Sequence, residues 1–488
     1  MKTKASRLIR FMYLIEEESF HEVADFLASP YHNKQICLTQ LFAYLCRCAP
    51  DFEEEQLQPE KLWGSMFPDQ PYHQQRLKDR MSQLTRLLRH YLAFRTVEED
   101  DLIGRLSLKA LATRKEEKLF GHYQKAWLKQ RQQLPYRDAD YYESAFQVAR
   151  YTDQLKGISW KREYGESLQA QSDELDRYYV IQKLQTYCEM LNRNNLQQQH
   201  YEAHLLEEVQ AIIEQKPHLH DIPAIRLWYL SLQTLLPQGG HQALIDLRQA
   251  LEEDGEAFRF AERRAMYKYA LNFCIRRINA GEAGYLEESF GIYQAMLDAG
   301  LLHVQGEISH TDFKNIATSG VRLGAYEWVA DFIERYSPEV GGGLGENVVI
   351  YCRAYLYAAS GRAREAMRLL QEVQFTDVYY ALSARTLLLQ IYYEQADWDG
   401  LEYQLKAYQL FLQRNRHLSQ RNRKLYLKFA RMLGQLLKLA FSSASLSRSD
   451  YEKARQQLYE QIAQQEEVAH KAWLLQRLSI ERLDKGIA

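Results

Sequence analysis

The sequence is poor in the residues that interrupt helices. Its 488 residues include only 23 glycines and 10 prolines. A fold of many short strands joined by tight turns needs more of both, because these residues supply the backbone conformations of turns. Leu, Gln, Glu, Arg, Ala and Tyr are abundant instead, and most of them favour helices. The composition therefore predicts an all-α protein.

Cysteines and long apolar runs are scarce as well. The six cysteines are Cys37, Cys46, Cys48, Cys188, Cys274 and Cys352. Their scattered positions show neither disulfide nor zinc spacing, and unpaired thiols suit a reducing compartment. No run approaches the roughly 20 apolar residues that a membrane helix needs, and charged residues interrupt the apolar run near the N-terminus, which is unlike a signal peptide. We expect a cytoplasmic protein that makes no membrane contact.

Charge of one sign is not in excess. The chain carries 62 basic and 64 acidic residues, for a formal net charge of −2. No overall field therefore draws it to nucleic acid or to a membrane surface. Any contact with an anionic partner must come from a local cluster of cations.

The sequence motifs of common catalytic sites are missing too. We find no phosphate-binding loop, no nucleophile elbow and no zinc-binding helix motif. The glycine run at 341–345 follows a helical pattern rather than a strand, which favours an inter-repeat loop over a dinucleotide site. His200, His204, His218 and His220 have no carboxylate or thiolate at a recognisable metal-ligand spacing. We predict a non-enzymatic protein with no cofactor and no metal.

A repeated pattern in the C-terminal half is the most informative feature that is present. Helix-forming residues, a turn at Gly324, Gly361 or Asp397, and a second amphipathic run follow one another three times. These turns are 37 and 36 residues apart, which is the length of one helical hairpin in a stacked array. Less regular turns precede them near 238–240 and 281–284. We predict an irregular α-solenoid of helical hairpins.

One of these hairpins resembles a known repeat. The sequence Gly361-Arg362-Ala363-Arg364-Glu365-Ala366 is similar to the turn and second helix of a tetratricopeptide repeat. Ala354, Ala358 and Ala366 are small enough to let the two helices approach closely. The chain as a whole resembles bacterial tetratricopeptide-like helical-repeat proteins. This resemblance implies an extended binding surface and does not itself indicate any activity.

The N-terminal region differs from the rest of the chain, because prolines separate short helical patterns there. We predict helices over about 34–48, 59–66 and 72–95. The third is amphipathic, and its apolar side comprises Leu77, Met81, Leu84, Leu88 and Leu92. Its other sides carry the cations Arg76, Lys78, Arg80, Arg86 and Arg89. These five are candidates for contact with nucleic acid.

The order of these helices resembles a known DNA-binding core. Glu60-Lys61-Leu62-Trp63, Phe67-Pro68-Asp69 and the stretch from Leu77 to Leu88 are similar to the winged-helix domain of bacterial transcriptional activators that carry tetratricopeptide-like repeats. The similarity covers about 60 residues, mostly core positions. It implies a helix-turn-helix-like module in which the third helix is the recognition helix.

A second cluster of cations lies near the end of the chain. No acidic residue occurs between Glu402 and Asp450, whereas ten basic residues do. The candidates for an anionic-partner site are Arg414, Arg416, Arg421, Arg423, Lys424 and Lys428. Arginine side chains donate paired hydrogen bonds to carboxylates and phosphates alike. Nucleic acid is therefore an alternative partner through Arg414–Arg431.

These patterns predict three regions and rank three functions. The regions are an N-terminal helical module at 1–130, a repeat array at 131–449 and a C-terminal capping helix at 450–488. The leading function is a scaffold that binds another protein. The alternatives are a DNA-binding transcriptional regulator and a ribonucleoprotein component that binds through the basic segment at 406–431.

Overall fold

The computed structural model describes most of the chain and confirms the all-α class. The described residues are 6–99, 102–156, 165–197, 200–372, 377–415, 417–442, 446–465 and 467–479. Their regular structure is helical except for one short hairpin that pairs His303–Val304 with Glu307–Ile308. Within these ranges, no helix is long and apolar enough to cross a membrane.

The chain divides into two compact units, Met1–Val180 and Ile181–Ala488. The predicted boundary near 130 falls within the first unit, and that near 449 within the second. The helices of the first unit are α1 (Arg7–Met12), α2 (Phe20–Ala28), α3 (Ile36–Cys46), α4 (Pro59–Met66), α5 (Gln74–Glu99), α6 (Leu102–Thr113), α7 (Glu117–Gln133), α8 (Ala139–Lys156) and the start of α9 (Gly165–Gln197). The three helices predicted for the N-terminal region are present as α3, α4 and α5.

Helices α1 to α5 share one hydrophobic core, and we call them the N-terminal module. Its buried residues run from Leu8 to Tyr91 and include Leu77, Leu84 and Leu88 of α5. A separate core forms within α6, α7 and α8. The apolar side of α5 is therefore fully used for packing, which leaves its cations outside the core. The described residues of this unit contain no β-strand.

The second unit continues with helices in close succession. They are the end of α9, α10 (Leu206–Gln215), α11 (Pro223–Leu235), α12 (His241–Asp254), α13 (Phe260–Asn279), α14 (Tyr285–Asp298), α15 (His310–Arg322), α16 (Tyr326–Tyr336), α17 (Gly345–Ala359), α18 (Ala363–Glu372), α19 (Val378–Glu394), α20 (Trp398–Arg414), α21 (Gln420–Ser442), α22 (Arg448–Ala463) and α23 (Lys471–Ser479). Helices α11 to α20 form consecutive pairs in which the two members contact each other. Helix α11 also contacts α13, α15 contacts α17, and α17 contacts α19.

The three evenly spaced turns share one backbone geometry. Gly324 and Gly361 have φ of 77° and 83°, and at each turn the next backbone N–H donates to the carbonyl five residues earlier, at 2.9 and 2.8 Å. This pattern is the Schellman motif, which ends a helix on a left-handed residue. At the third turn that residue is Ala396, with φ of 55°, rather than the predicted Asp397. Asp397 instead caps α20 by accepting a hydrogen bond from the Gly400 N–H at 3.0 Å.

Polar side chains form hydrogen bonds between helices of the second unit that are four helices apart in the chain. The contacts are Tyr269 Oη to Glu189 Oε2 at 3.2 Å, Asn272 Nδ2 to Asn192 Oδ1 at 2.8 Å, and His310 Nδ1 to Tyr380 Oη at 2.9 Å. The first two connect α9 with α13, and the third connects α15 with α19. These sides of the helices are therefore occupied by contacts within the chain.

The C-terminal segment departs from the prediction of a single capping helix. It contains two helices, α22 and α23, separated by non-helical residues. His470 lies just before α23 with a φ of 51°, a left-handed conformation that a continuous helix excludes. Helix α22 is capped by Ser447, whose Oγ accepts a hydrogen bond from the Asp450 N–H at 3.2 Å. Helix α22 therefore begins at Arg448, two residues before the predicted start at 450.

Candidate anion-binding surfaces

The five cations predicted on the third helix lie on two different sides of α5. Lys78, Arg86 and Arg89 are exposed and line a groove between α1 and α5. Arg76 and Arg80 point toward α3 and α4 instead. The sequence pattern alone could not separate the two sets, because both alternate around the same apolar stripe.

Arg76 and Arg80 make contacts within the N-terminal module. The Arg76 guanidinium lies 5.8 Å from the ring centre of Trp63 and 5.7 Å from that of Phe67, which is within cation–π range. The Arg80 Nη1 donates to Gln35 and, at 2.7 Å, to Gln83. These two arginines therefore hold α3, α4 and α5 together rather than line the groove.

The groove between α1 and α5 has a volume of about 730 Å³. Arg7 of α1 joins Lys78, Arg86 and Arg89 in lining it, and we call it the cationic groove. The same groove is lined by Ser82 and, on its apolar side, by Leu8, Phe11 and Met81. Four cations thus surround one concavity.

The electrostatics of the cationic groove favour an anion. Among the described residues, no carboxylate forms an ion pair with any of its four cations. Lys78 and Arg89 are three helical turns apart, a separation of about 16 Å along α5, so the fields of successive cations overlap within about one Debye length. The groove can contact several phosphates of one ligand at once.

Sequence reasoning did not identify Arg7 as part of this site. Arg7 is more than seventy residues from Lys78 in the chain, and it reaches the groove only because Leu8 and Ile9 bury α1 in the core of the module. The only indication in the sequence was the apolar pair Leu8-Ile9 next to Arg7. This pair does not indicate which helix α1 contacts.

The structure divides the second cluster of predicted cations. Arg421 Nη2 lies 3.3 Å from Glu467 Oε1, and Arg423 Nη2 donates to the Asn415 carbonyl at 2.7 Å. Arg414 is exposed at the end of α20. Arg416 lies outside the described residues. The predicted site is therefore not one continuous surface, because two of its arginines are engaged within the chain.

The remaining cations of this cluster extend along α21. Lys428 is half-buried, whereas Lys424 is exposed together with Arg431 and Lys438. The three exposed cations follow one another at intervals of seven residues, which places them on the same side of the helix. We call Lys424, Arg431 and Lys438 the cationic row. Its seven-residue period is visible in the sequence, although the predicted basic segment ended at Arg431 and did not include Lys438.

A further groove lies between α16 and α17 and has a volume of about 520 Å³. Ala330, Ile333 and Leu356 supply apolar surface there, Glu327 and Glu334 lie on the α16 side, and the α17 side carries Arg353 and Tyr357. Glu327 and Glu334 are exposed and two helical turns apart. Arg362 lines the groove as well and forms an ion pair with Glu365. The α16–α17 groove thus combines an apolar base with carboxylates on the α16 rim and arginines on the opposite side.

The other candidates from the sequence show no feature of a ligand site. A cavity of about 510 Å³ at Gly342, Gly343 and Gly345 is also lined by Glu346, and no lysine or arginine lines it. His200 and His204 lie in a non-helical segment. The described residues include no group of three or more His, Cys, Asp or Glu side chains arranged to hold a metal.

Comparison with known proteins gives no match among protein-family models, curated proteins or solved structures.

Proposed function

We propose that the protein is a non-enzymatic adaptor whose second unit is an α-solenoid of tetratricopeptide-like hairpins that binds another protein. The observation that carries this proposal is the unbroken series of helix pairs from α11 to α20. Each pair packs on the next, an arrangement typical of arrays that present long binding surfaces. Schellman turns at Gly324, Gly361 and Ala396 support the same architecture.

The α16–α17 groove is the best site for the protein partner in this array. The side-chain contacts between α9 and α13, and between α15 and α19, already occupy other faces of the helices. The groove is open to solvent, and the largely buried side chains of Ile333 and Leu356 form its apolar base. Peptide-binding grooves commonly combine apolar surface with a few charged groups that fix orientation. Its carboxylate rim fits a partner segment that carries basic residues.

Blocking this groove should remove the partner. Ala330 is exposed and lines the groove, so Ala330→Arg inserts a long side chain without disturbing the core. We expect at least a tenfold loss of one co-purified protein, because the new cation also opposes a basic segment. Quantitative mass spectrometry after affinity purification of the full chain, with nuclease present, measures this loss.

The matched control is Ala359→Arg, which adds the same side chain at an exposed position near the end of α17. Ala359 is not among the residues that line the groove. A partner that both variants lose equally, or that neither loses, would contradict the assignment of the groove. A partner that nuclease treatment alone removes is bound through nucleic acid. Such a result would also contradict the assignment of the groove as a protein-binding site.

The cationic groove favours a second candidate function, binding of DNA by the N-terminal module. Arg7, Lys78, Arg86 and Arg89 converge on it without ion pairs to described carboxylates. Phosphate contacts of this kind supply most of the affinity of non-specific DNA binding. A module that binds DNA, joined to a repeat array that binds protein, would form a transcriptional regulator.

Charge reversal in the groove tests this candidate. Arg86→Glu combined with Arg89→Glu removes two phosphate contacts and adds two repulsive charges. We expect a loss of roughly 100-fold in affinity for a random duplex, because each lost or opposed contact costs on the order of 1 kcal/mol or more. Fluorescence anisotropy at several salt concentrations measures affinity, and the salt dependence should weaken by about two ion equivalents.

The control is Lys118→Glu with Lys125→Glu, which makes the same change in net charge on exposed positions of α7. These residues belong to the same unit but not to the groove. Equal losses in the two double variants would show that net charge, rather than the groove, governs binding. No salt-dependent binding by the unaltered protein would eliminate the candidate.

A further inference from the structure

The cationic row on α21 is a second surface suited to anions. Lys424, Arg431 and Lys438 span 14 residues, a distance of about 21 Å along the helix. None of them forms an ion pair with a carboxylate among the described residues. The opposite side of α21 is anchored in the core by Phe429 and Leu433. The row therefore lies on the solvent-exposed side of a helix whose other side is packed in the core.

The composition of this face discriminates between classes of partner. Between Lys424 and Lys438, the exposed residues are the three cations of the row, whereas Leu427, Lys428 and Gln435 beside them are half-buried, so this face exposes no large apolar side chain. A protein partner needs desolvated apolar contacts at the centre of its interface. A phosphodiester backbone needs only a track of cations. The row therefore favours nucleic acid over an acidic protein.

Exposed aromatic rings mark one end of the row. Phe441 is 51% exposed three residues beyond Lys438, and Tyr403 of α20 is 72% exposed. Helices α20 and α21 pack on each other, with Leu405 next to Gly434. The start of α20 consequently lies near the end of α21, so both rings belong to the same end of this hairpin. Exposed rings beside a cationic track are typical of proteins that bind single strands, whose unpaired bases stack on them.

We propose that the outer face of the α20–α21 hairpin binds single-stranded nucleic acid, with the cationic row on the phosphates and Tyr403 and Phe441 stacked on bases. This activity is separate from the protein-binding role of the α16–α17 groove. It also differs from the DNA candidate in the N-terminal module, because bases can stack on the rings only when they are unpaired. RNA and DNA single strands share the required chemistry.

The test uses the full-length protein with Arg86→Glu and Arg89→Glu already in place, so that the cationic groove does not contribute. The probes are fluorescein-labelled U20, dT20 and a 20-base-pair duplex, measured by anisotropy between 50 and 200 mM salt. We expect both single strands to bind at least tenfold more tightly than the duplex. Comparison of U20 with dT20 distinguishes RNA from DNA as the preferred source of the strand.

Two sets of substitutions then separate phosphate contacts from stacking. Lys424→Glu, Arg431→Glu and Lys438→Glu together should reduce affinity at least 30-fold and weaken the salt dependence by about two ion equivalents, since single strands release about 0.7 ions per phosphate contact. Tyr403→Ala with Phe441→Ala should reduce affinity about tenfold and leave the salt dependence unchanged, because stacking involves no counterions.

A matched triple variant controls for net charge. Lys216→Glu, Arg364→Glu and Lys453→Glu make the same change at exposed positions of the second unit outside α20 and α21. The proposal is overturned if this control loses as much affinity as the row variant. It is overturned equally if U20 and dT20 do not bind, or if fluorescein-labelled polyglutamate binds as tightly as the strands, which would indicate an acidic protein partner. All variants change exposed side chains, and unchanged thermal unfolding confirms that they fold.

Discussion

Replacement of Asp312 by alanine should destabilise the second unit by about 3 kcal/mol. Asp312 is 4% exposed and accepts a hydrogen bond from the Lys268 ammonium of α13. Arg264 Nη2 of the same helix lies 3.9 Å from its Oδ2. Removal of one member of a mostly buried ion pair leaves the other charge without compensation, which typically costs 3–5 kcal/mol. We expect the low end, since the Lys268 side chain is 26% exposed.

The lysine is the source of this penalty. Burial lowers the pKa of Lys268, while the carboxylate of Asp312 raises it and thereby keeps the ammonium charged. Asp312 also supports the start of α15, where it accepts a hydrogen bond from the Ser309 hydroxyl at 2.9 Å. Loss of Asp312 thus affects α13 and α15 together. Hydrogen exchange measured by mass spectrometry on peptides from these two helices reports the loss locally.

A double-mutant cycle distinguishes this mechanism from a simple packing defect. Lys268→Met removes the charge and retains most of the apolar stem, so Asp312→Ala with Lys268→Met should recover about half of the lost stability. A double variant no more stable than Asp312→Ala alone would show that the ion pair is not responsible. Asp312→Asn offers a gentler change, because the single amide oxygen can still accept the hydrogen bond from Lys268, although the amide nitrogen cannot accept the one from the Ser309 hydroxyl.

Much of the architecture could be predicted from the sequence because helices and their turns are local. The low glycine and proline content indicates an all-α chain, and the prolines at 59, 68 and 71 mark the start of α4 and the segment between α4 and α5. Gly324 and Gly361 were identified as turns since glycine adopts the left-handed conformation at little energetic cost. Ala396 was not identified, because the sequence does not show that an alanine adopts positive φ. The neighbouring Asp397 is a more typical turn residue, and the turn was therefore predicted there.

The candidate sites were less predictable because they depend on contacts between distant residues. Arg76 and Arg89 look equivalent in the sequence, yet only the fold directs Arg76 to the ring of Trp63 and Arg89 to the groove. The sequence likewise gives no sign that Arg421 has a partner, because Glu467, with which it forms an ion pair, lies 46 residues later in the chain. The spacing along one helix, as in the cationic row, is a local property and can be extracted from the sequence.

Gly320 provides the second large effect, because α14 and α16 both approach α15 closely at this residue. A β-carbon at this position would lie 2.5 Å from Val329 Cγ2 on α16 and 3.0 Å from Phe290 Cε2 on α14. Both distances are too short for carbon atoms in contact. Gly320→Ala should therefore destabilise the second unit by about 1–3 kcal/mol, even though alanine favours a helix by about 1 kcal/mol over glycine. Urea unfolding monitored by hydrogen exchange on peptides from α15 measures the change.

Glycine-to-alanine substitution at Gly434 should change the stability in the opposite direction. This glycine also lies inside a helix, but a β-carbon there would meet only Leu405 Cδ2 at 3.6 Å, an ordinary contact. Gly434→Ala should therefore stabilise the protein by up to about 1 kcal/mol, the gain in helix propensity alone. A stable Gly320→Ala variant would mean that α14, α15 and α16 can move apart without loss, and hence that tight packing between these helices does not stabilise the second unit. Two opposite signs would show that each glycine is selected by its own surroundings, since Gly320 lies against Val329 of α16 and Phe290 of α14, whereas Gly434 has only an ordinary contact with Leu405 of α20.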